Sequence, residues 1–165
     1  MSSSSAATNG SGRRMLERRQ VFQTQDYRSA FDLTVDGYTD SWWDSRSRVR
    51  DAHHDWFVFS EDGTEVARAE ADAAARIESE YIDLTTPRDV VDVVFFEVRS
   101  GHRGRGVGHA AAALLVDEYR GRDLIAFSEE ADGFWTSAGW TLYPRVDGSR
   151  LYRPLFLHHG TGGSR

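Results

Sequence analysis

The sequence predicts a mixed α/β (α+β) domain, a central sheet flanked by helices, and three observations carry that reading. The run Val90 to Val98 is apolar on both parities except at Asp92 and Glu97, the pattern of a strand covered on both faces. It leads through a glycine-rich turn into an alanine-rich amphipathic stretch, His109 to Tyr119. Upstream, Trp56 to Phe59 and Val66 to Ala71 flank Glu61-Asp62-Gly63-Thr64, a hairpin in which Asp-Gly supplies the positive φ angles of the turn. Strand, turn and helix in that order place helices against a sheet.

The remaining elements follow in chain order. Gln20 to Gln23 predicts a short strand, and Tyr27 to Leu33 and Gly37 to Arg48 predict two short helical segments separated at Asp36-Gly37. Asp72 to Pro87 reads as a connection: Ala73 to Glu80 suits a helix or an extended strand, and Thr85-Thr86-Pro87 marks a break. After the alanine helix, Arg120 complements the C-terminal dipole and Gly121 is a stop. Leu124 to Phe127 predicts a strand, Glu130 to Ala138 a helix with acids in its first turn and Gly139 at its end, and Trp140 to Tyr143 and Leu151 to Leu157 two closing strands. There is no internal repeat.

Composition bounds the function. A chain of 165 residues with 39% hydrophobic and 28% charged residues suits one domain with one core, expected over residues 17–157 between a disordered tail (1–16) and a flexible end (158–165). Net charge −6 and pI near 5.5 disfavour a general nucleic-acid surface, although Arg99 to Arg105 is a local basic patch. Arg13, Arg14, Arg18 and Arg19 read as a solvated start to the fold. No apolar stretch is long enough for a bilayer and the Ser/Ala/Gly-rich start is no signal peptide, so the expected compartment is the cytoplasm. The chain has no cysteine, which removes disulfides, thiolate metal sites and an acyl-cysteine intermediate. Every one of the 20 basic residues is arginine, a bias read as coding composition because arginine and lysine interchange on surfaces away from bidentate sites. His53-His54 and His158-His159 lack a metal-ligand pattern and read as surface residues, so no metal is expected.

Arg103-Gly104-Arg105-Gly106-Val107-Gly108 occupies the strand-to-helix junction. Glycines let a ligand approach the backbone, the first-turn N–H groups of the helix lack internal partners, and the aligned peptide dipoles place roughly +0.5 charge there. The junction is an anion site sized for a diphosphate. The spacing R-x-x-G-x-G, with Phe96-Glu97-Val98-Arg99-Ser100 before it, resembles the strand-to-helix signature of the GNAT acetyltransferase superfamily; Ser100 stands where a proline is common. A second family motif is similar to Ser128 to Trp140, with Ser128 at its asparagine, Trp135 at its tyrosine and Gly139-Trp140 at its Gly-Phe pair.

The resemblance implies a GNAT-type fold and direct transfer of an acyl group from acetyl-CoA to an amine, with both substrates bound together. It implies pyrophosphate binding by the amides of Arg103, Gly104, Arg105, Gly106, Val107 and Gly108, with charge from Arg103 and Arg105, and it counts Arg99 among the coenzyme-binding residues. The main chain of Val98 and Ser100 would pair with the pantetheine arm, the Val98 N–H would polarise the thioester carbonyl, and Ser128 and Trp135 would flank the coenzyme. Freeing the lone pair of an alkylammonium at neutral pH costs about 4–5 kcal/mol, so a base is useful. Asp92 and Glu97 are the two carboxylates on the apolar strand, of opposite parity, so at most one serves, directly or through water, with Asp92 slightly favoured and neither being catalytic the alternative. Trp135 offers no acidic proton, which leaves Tyr143, Ser128 or water to protonate the thiolate and keeps open a second reading, a non-catalytic acyl-CoA-binding module. Trp42 and Trp43 fall at the acceptor wall, suiting an apolar or cationic amine, or pack as core. The acceptor amine is unidentified, and the strand Leu151 to Leu157 offers an edge for a homodimer.

Overall fold

The computed structural model describes residues 5–6, 15–44 and 49–161. Its elements are β1 (Ser5–Ala6), β2 (Leu16–Val21), α1 (Asp40–Trp43), β3 (His54–Glu61), β4 (Thr64–Ile77), β5 (Arg88–Val98), α2 (Val107–Glu118), β6 (Leu124–Phe127), α3 (Asp132–Ser137), β7 (Thr141–Tyr143) and β8 (Leu155–His158). The hydrogen-bonded strand order is β1-β2-β3-β4-β5-β6-β8-β7. The chain divides into two compact units, one of residues Met1–Ala71 and Phe95–Leu114, the other of Asp72–Val94 and Leu115–Arg165.

In the first unit, β2 pairs antiparallel with β3 from Leu16↔Glu61 to Val21↔Trp56. β3 turns into β4 through Asp62 (φ 48°) and Gly63 (φ 80°), the two positive angles that the Asp-Gly pair predicts. One core cluster gathers Val21, Phe31, Trp43, Trp56 and Val58, with Tyr38, Trp42 and Phe95 packed against it. Phe57 bears instead on Arg18, whose guanidinium lies 5.5 Å from the Phe57 ring centroid and donates to the Leu114 carbonyl of α2 at 3.1 Å. α2 buries Val107, Ala111, Ala112, Leu114 and Leu115, the apolar stripe expected of the alanine-rich stretch, and begins two residues before His109.

Two expected helices differ. Tyr27 to Leu33 is a series of bends and turns, because Ser29 and Asp32 bond the backbone locally: Phe31 N–H donates to Ser29 Oγ (3.1 Å) and Thr34 N–H to Asp32 Oδ1 (2.9 Å), bonds that compete with a helix. Of Gly37 to Arg48, only Asp40–Trp43 is helical; Gly37 sits at φ +88°, and residues 45–48 lie outside the described ones. The connection Asp72 to Pro87 is also corrected, since β4 continues to Ile77. Its period-two burial, with Ala75 and Ile77 packed and Ala74 and Arg76 exposed, overrides the helix propensity of three consecutive alanines.

In the second unit, Ile77, Tyr81, Leu84, Val90, Ile125, Leu155 and Leu157 form the core. β5 pairs parallel with β6 at Val91↔Leu124 and Asp92↔Ile125, and β8 pairs antiparallel with β6 on one side and β7 on the other. With both edges of Leu155–Leu157 used in the sheet, the edge proposed for a dimer is not free, and Leu151 to Pro154 is not strand. α3 starts later than Glu130, which stands at φ +56°, and stops where expected, before Gly139 at φ +87°. The end of the chain is anchored further than the boundary at 157 implies: His158 completes β8, and Gly160 N–H donates to Asp123 Oδ1 at 2.9 Å. Of the expected disordered start, all but Ser5, Ala6 and the residues from Met15 on lies outside the described residues, as do Arg13 and Arg14.

Two glycine substitutions should move stability in opposite directions. A Cβ on Gly160 would stand 2.6–2.8 Å from backbone atoms of Gly121 and Arg122, whereas one on helical Gly133 meets nothing within 4 Å. Thermal and urea unfolding should show Gly160→Ala destabilised by about 1–3 kcal/mol and Gly133→Ala stabilised by about 0.4–1 kcal/mol.

Candidate active site

The glycine turn is built entirely within the first unit. β5 ends at Val98 and α2 begins at Val107; Gly101, Gly104 and Gly106 between them take φ of 86°, 76° and 78°, which L side chains rarely adopt. A Cβ on any of the three would meet nothing within 4 Å, so conformation, not crowding, demands glycine, and the backbone faces open space. The first helical bond runs from Ala110 N–H to Gly106 O at 3.1 Å, so the amides of Val107 and Gly108 precede any intrahelical acceptor.

The arginines predicted around this turn divide into two sorts. Arg103 and Arg105 are 61% and 41% exposed, and each makes a bond that an anion could replace: Arg103 Nε donates to Val98 O (2.9 Å), and Arg105 lies 2.8 Å from His102 Nδ1 and 3.6 Å from Glu61. Arg99 is different. Its Nε and NH2 donate to Asp36 O (2.8 Å) and the Asp36 carboxylate (2.7 Å), and its NH1 to Glu65 O (3.1 Å), so it fastens the segment before α1 and is committed away from the turn. The hydrogen bond from Arg99 holds the Asp36 carboxyl below the usual carboxylate range, so this tie is intact at neutral pH and weakens only as acid protonates Asp36. The Ser100 N–H is likewise engaged, donating to Gly37 O at 2.8 Å. Gly37 was legible only as a break, yet a Cβ there would meet Arg99 Cγ at 3.0 Å, so this close approach selects glycine.

Glu97 is 7% exposed and its carboxylate is filled. Oε1 accepts from Thr39 N–H (2.7 Å) and Trp43 Nε1 (2.9 Å), and Oε2 accepts from Thr39 Oγ1 (2.6 Å). Thr39 is the N-cap of α1, so a carboxylate from β5 stands beside the start of that helix. Trp43 is 1% exposed and edge-on to Phe31 at 4.9 Å, which makes it core; Trp42 is half-buried against Phe95 at 5.1 Å. Arg68, absent from the sequence reading, is 1% exposed, with its guanidinium 4.1 Å from the Tyr38 ring centroid and 5.0 Å from that of Phe31. It donates to Glu65 (2.6 Å) and Asp32 O (2.7 Å), and burial together with the Glu65 charge pushes the Tyr38 phenol well above its ordinary range. The signal lay in the parity that Arg68 and Glu70, two charges within the buried run of β4, share with Val66.

The other predicted residues belong to the second unit. Asp92 is half-buried in β5. Ser128 is 2% exposed and starts the turn into α3, its Oγ donating to Asp132 (2.5 Å) and accepting from Ala131 N–H (3.1 Å). Trp135 is 5% exposed and packs on Trp140 at 4.5 Å and Phe134 at 4.9 Å. The Tyr143 hydroxyl lies 2.6 Å from His159 Nε2. Among the described residues no group of three or more His, Cys, Asp or Glu is placed to hold a metal ion, and no helix is long and apolar enough to cross a membrane.

Removing the Glu97 carboxylate would leave Trp43 Nε1 buried without an acceptor and take from the Thr39 N–H and hydroxyl the group that holds them. Glu97→Ala should therefore cost about 2–4 kcal/mol, read by urea unfolding, and should shift tryptophan emission to the red. A loss below about 0.5 kcal/mol would show that the carboxylate does not anchor α1.

Comparison with known proteins completes the picture. The model of the acetyltransferase (GNAT) family matches residues 17–140. Among solved structures, an acetyltransferase from Thermus thermophilus superposes with TM-score 0.50 at 15% identity, over 66% of this chain and 65% of that one. The acetoin utilization protein from Exiguobacterium sibiricum gives 0.52 at 10% identity, over 98% and 88%. The Bacillus subtilis N-acetyltransferase YlbP, solved in complex with coenzyme A, gives 0.49 at 13% identity, over 68% and 71%. No curated protein matches. The mixed sheet, the glycine turn between β5 and α2, and a family match over most of the chain lead to one conclusion: this chain belongs to the acetyltransferase (GNAT) family.

Proposed function

We propose that the chain transfers an acetyl group from acetyl-CoA directly to the amine of a small molecule or protein. The observation that carries this reading is the turn of Gly101, Gly104 and Gly106 opening onto the N-terminus of α2, with no cysteine anywhere to hold an acyl intermediate. In this reading the amides from Arg103 to Gly108 receive the pyrophosphate, where the helix dipole and unpaired N–H groups favour negative charge. Arg103 and Arg105 leave Val98 O and His102 to bond the phosphates, and the freed Val98 carbonyl becomes available to the pantetheine amide. The Val98 N–H polarises the thioester carbonyl, and the amine attacks it as coenzyme A departs as a thiolate.

For the proton of the amine, the two carboxylates now differ. Glu97 already accepts from three donors, which supports a positioning role for it, fixing Trp43 and the start of α1 at the acceptor side with Trp42 beside them. Asp92 is then the better candidate base, directly or through water. Tyr143, hydrogen-bonded to His159, is the candidate proton donor to the thiolate, and Ser128 and Trp135 act by shaping the backbone around α3.

Calorimetry with coenzyme A should show micromolar binding, weakened at least about tenfold by Gly106→Ala, because the φ of +78° is strained for alanine. Arg103→Gln and Arg105→Gln should each cost about threefold to tenfold and reduce the salt dependence. Release of free thiol from acetyl-CoA with a panel of amines tests turnover; tight coenzyme A binding with no release would establish a binding module instead, and no binding at all would refute both.

A further inference from the structure

The β7–β8 connection borders a second feature, wholly inside the second unit: a half-open cavity of about 410 Å³. Leu142, Pro144, Pro154 and Leu155 give it an apolar lining, and its volume lies in the range of small-molecule sites. One wall is fixed by main-chain bonds, Ile82 N–H to Pro144 O (2.8 Å) and Val146 N–H to Glu80 O (3.1 Å). Arg145 on that wall is held in place by two nitrogens on the Asp147 carboxylate (2.8 and 3.1 Å) and stacks on Tyr152, 4.2 Å from the ring centroid.

Charge separates this cavity from an ordinary apolar dimple. The stretch 145–154 carries three arginines and one aspartate in a chain of net charge −6. Asp147 is spent on Arg145, and Arg153 reaches Glu129 at 3.3 Å in a pair more than half exposed on both sides, which solvent screens. Arg150 lines the cavity and has no ion-pair partner among the described residues. A cationic fork at the edge of a leucine- and proline-lined hollow repels ammonium groups, gains little from neutral ones and matches a carboxylate.

We propose that this cavity is a binding site for a small organic carboxylate carried on an apolar body. The apolar part lies against Leu142, Pro144 and Pro154 beside the Tyr152 ring, and the carboxylate takes Arg150 with Arg153. Tyr143, the candidate proton donor of the transfer reaction, also lines this cavity, but no residue of the glycine turn does, so acid binding and coenzyme A binding are read separately.

Saturation-transfer NMR and calorimetry on the full chain, with 3-phenylpropionate, its primary amide and 3-phenylpropylamine as probes, test it. The acid should bind in the millimolar range or tighter, and the amide and amine at least about tenfold more weakly. The double variant Arg150→Gln, Arg153→Gln should lose about tenfold for the acid with an unchanged melting temperature, since both side chains lie at the surface, and saturating coenzyme A should leave the acid bound. Equal binding of acid and amide, undiminished binding by the double variant, displacement by coenzyme A, or no binding up to about 10 mM would each overturn the proposal.

Discussion

The arrangement of the first unit depends on charged side chains of the sheet that reach a loop with little structure of its own, two of them, Glu97 and Arg68, buried. Between β2 and β3 the chain runs more than thirty residues with one helical turn, Asp40–Trp43, to organise its described part, so that part cannot satisfy its own backbone as a longer helix would. Side chains from the sheet do this instead. Glu97 accepts from the Thr39 amide, Arg68 donates to Asp32 O, and Arg99 donates to Asp36 O, so three charges from β4 and the end of β5 hold successive points of one loop. Each charge is itself compensated: Glu97 by Thr39 and Trp43, Arg68 by Glu65 and the Tyr38 ring, and Arg99 by Asp36. A buried charge left single would cost several kcal/mol, so the loop and the charges hold one another in place.

The same strand end serves the glycine turn. Arg99 and Ser100 turn their N–H groups to Val66 O and Gly37 O, which fixes the direction in which the chain leaves β5. From there the positive φ of Gly101, Gly104 and Gly106 carries it into α2 with the helix amides uncovered. Position and ligand capacity are thus separate properties of neighbouring residues: Arg99 and Ser100 set the geometry, while Arg103, Arg105 and the glycines remain able to meet an anion.

What was legible in the sequence was whatever local rules decide. Asp62-Gly63 specified its turn, Gly139 its helix end, and the glycine-rich stretch the turn from β5 into α2, because only glycine, or aspartate at small cost, fits those angles. The continuous apolar run declared β5, and the family signature lay on the same residues. Long-range partners decided the rest. Nothing local shows that Glu97 faces Trp43 fifty-four residues earlier, that Ser100 spends its amide on Gly37, or that Ala73 to Ile77 prolongs β4 instead of coiling into a helix. Ser29 and Asp32 could have been read as helix competitors in Tyr27 to Leu33, since both bond backbone amides two residues on. Trp135 stood at a motif position, and its burial against Trp140 and Phe134 is a tertiary fact.

The all-arginine composition, neutral when read as bulk charge, has structural weight at particular places. Arg99 uses three nitrogens on three acceptors from two segments, and Arg68 uses two on a carboxylate and a carbonyl while its planar face covers Tyr38. Arg122 donates to Ala73 O and Arg145 binds both oxygens of Asp147. A lysine ammonium is a point donor on a flexible stem and cannot reach divergent acceptors in one plane or stack on a ring in the same way. The equivalence of the two cations therefore holds for exposed positions such as Arg120 and fails at Arg68, Arg99 and Arg145. Where a loop has little secondary structure of its own, the guanidinium replaces it with a rigid set of donors, so a composition that reads as coding bias is also part of how this chain holds its irregular segments.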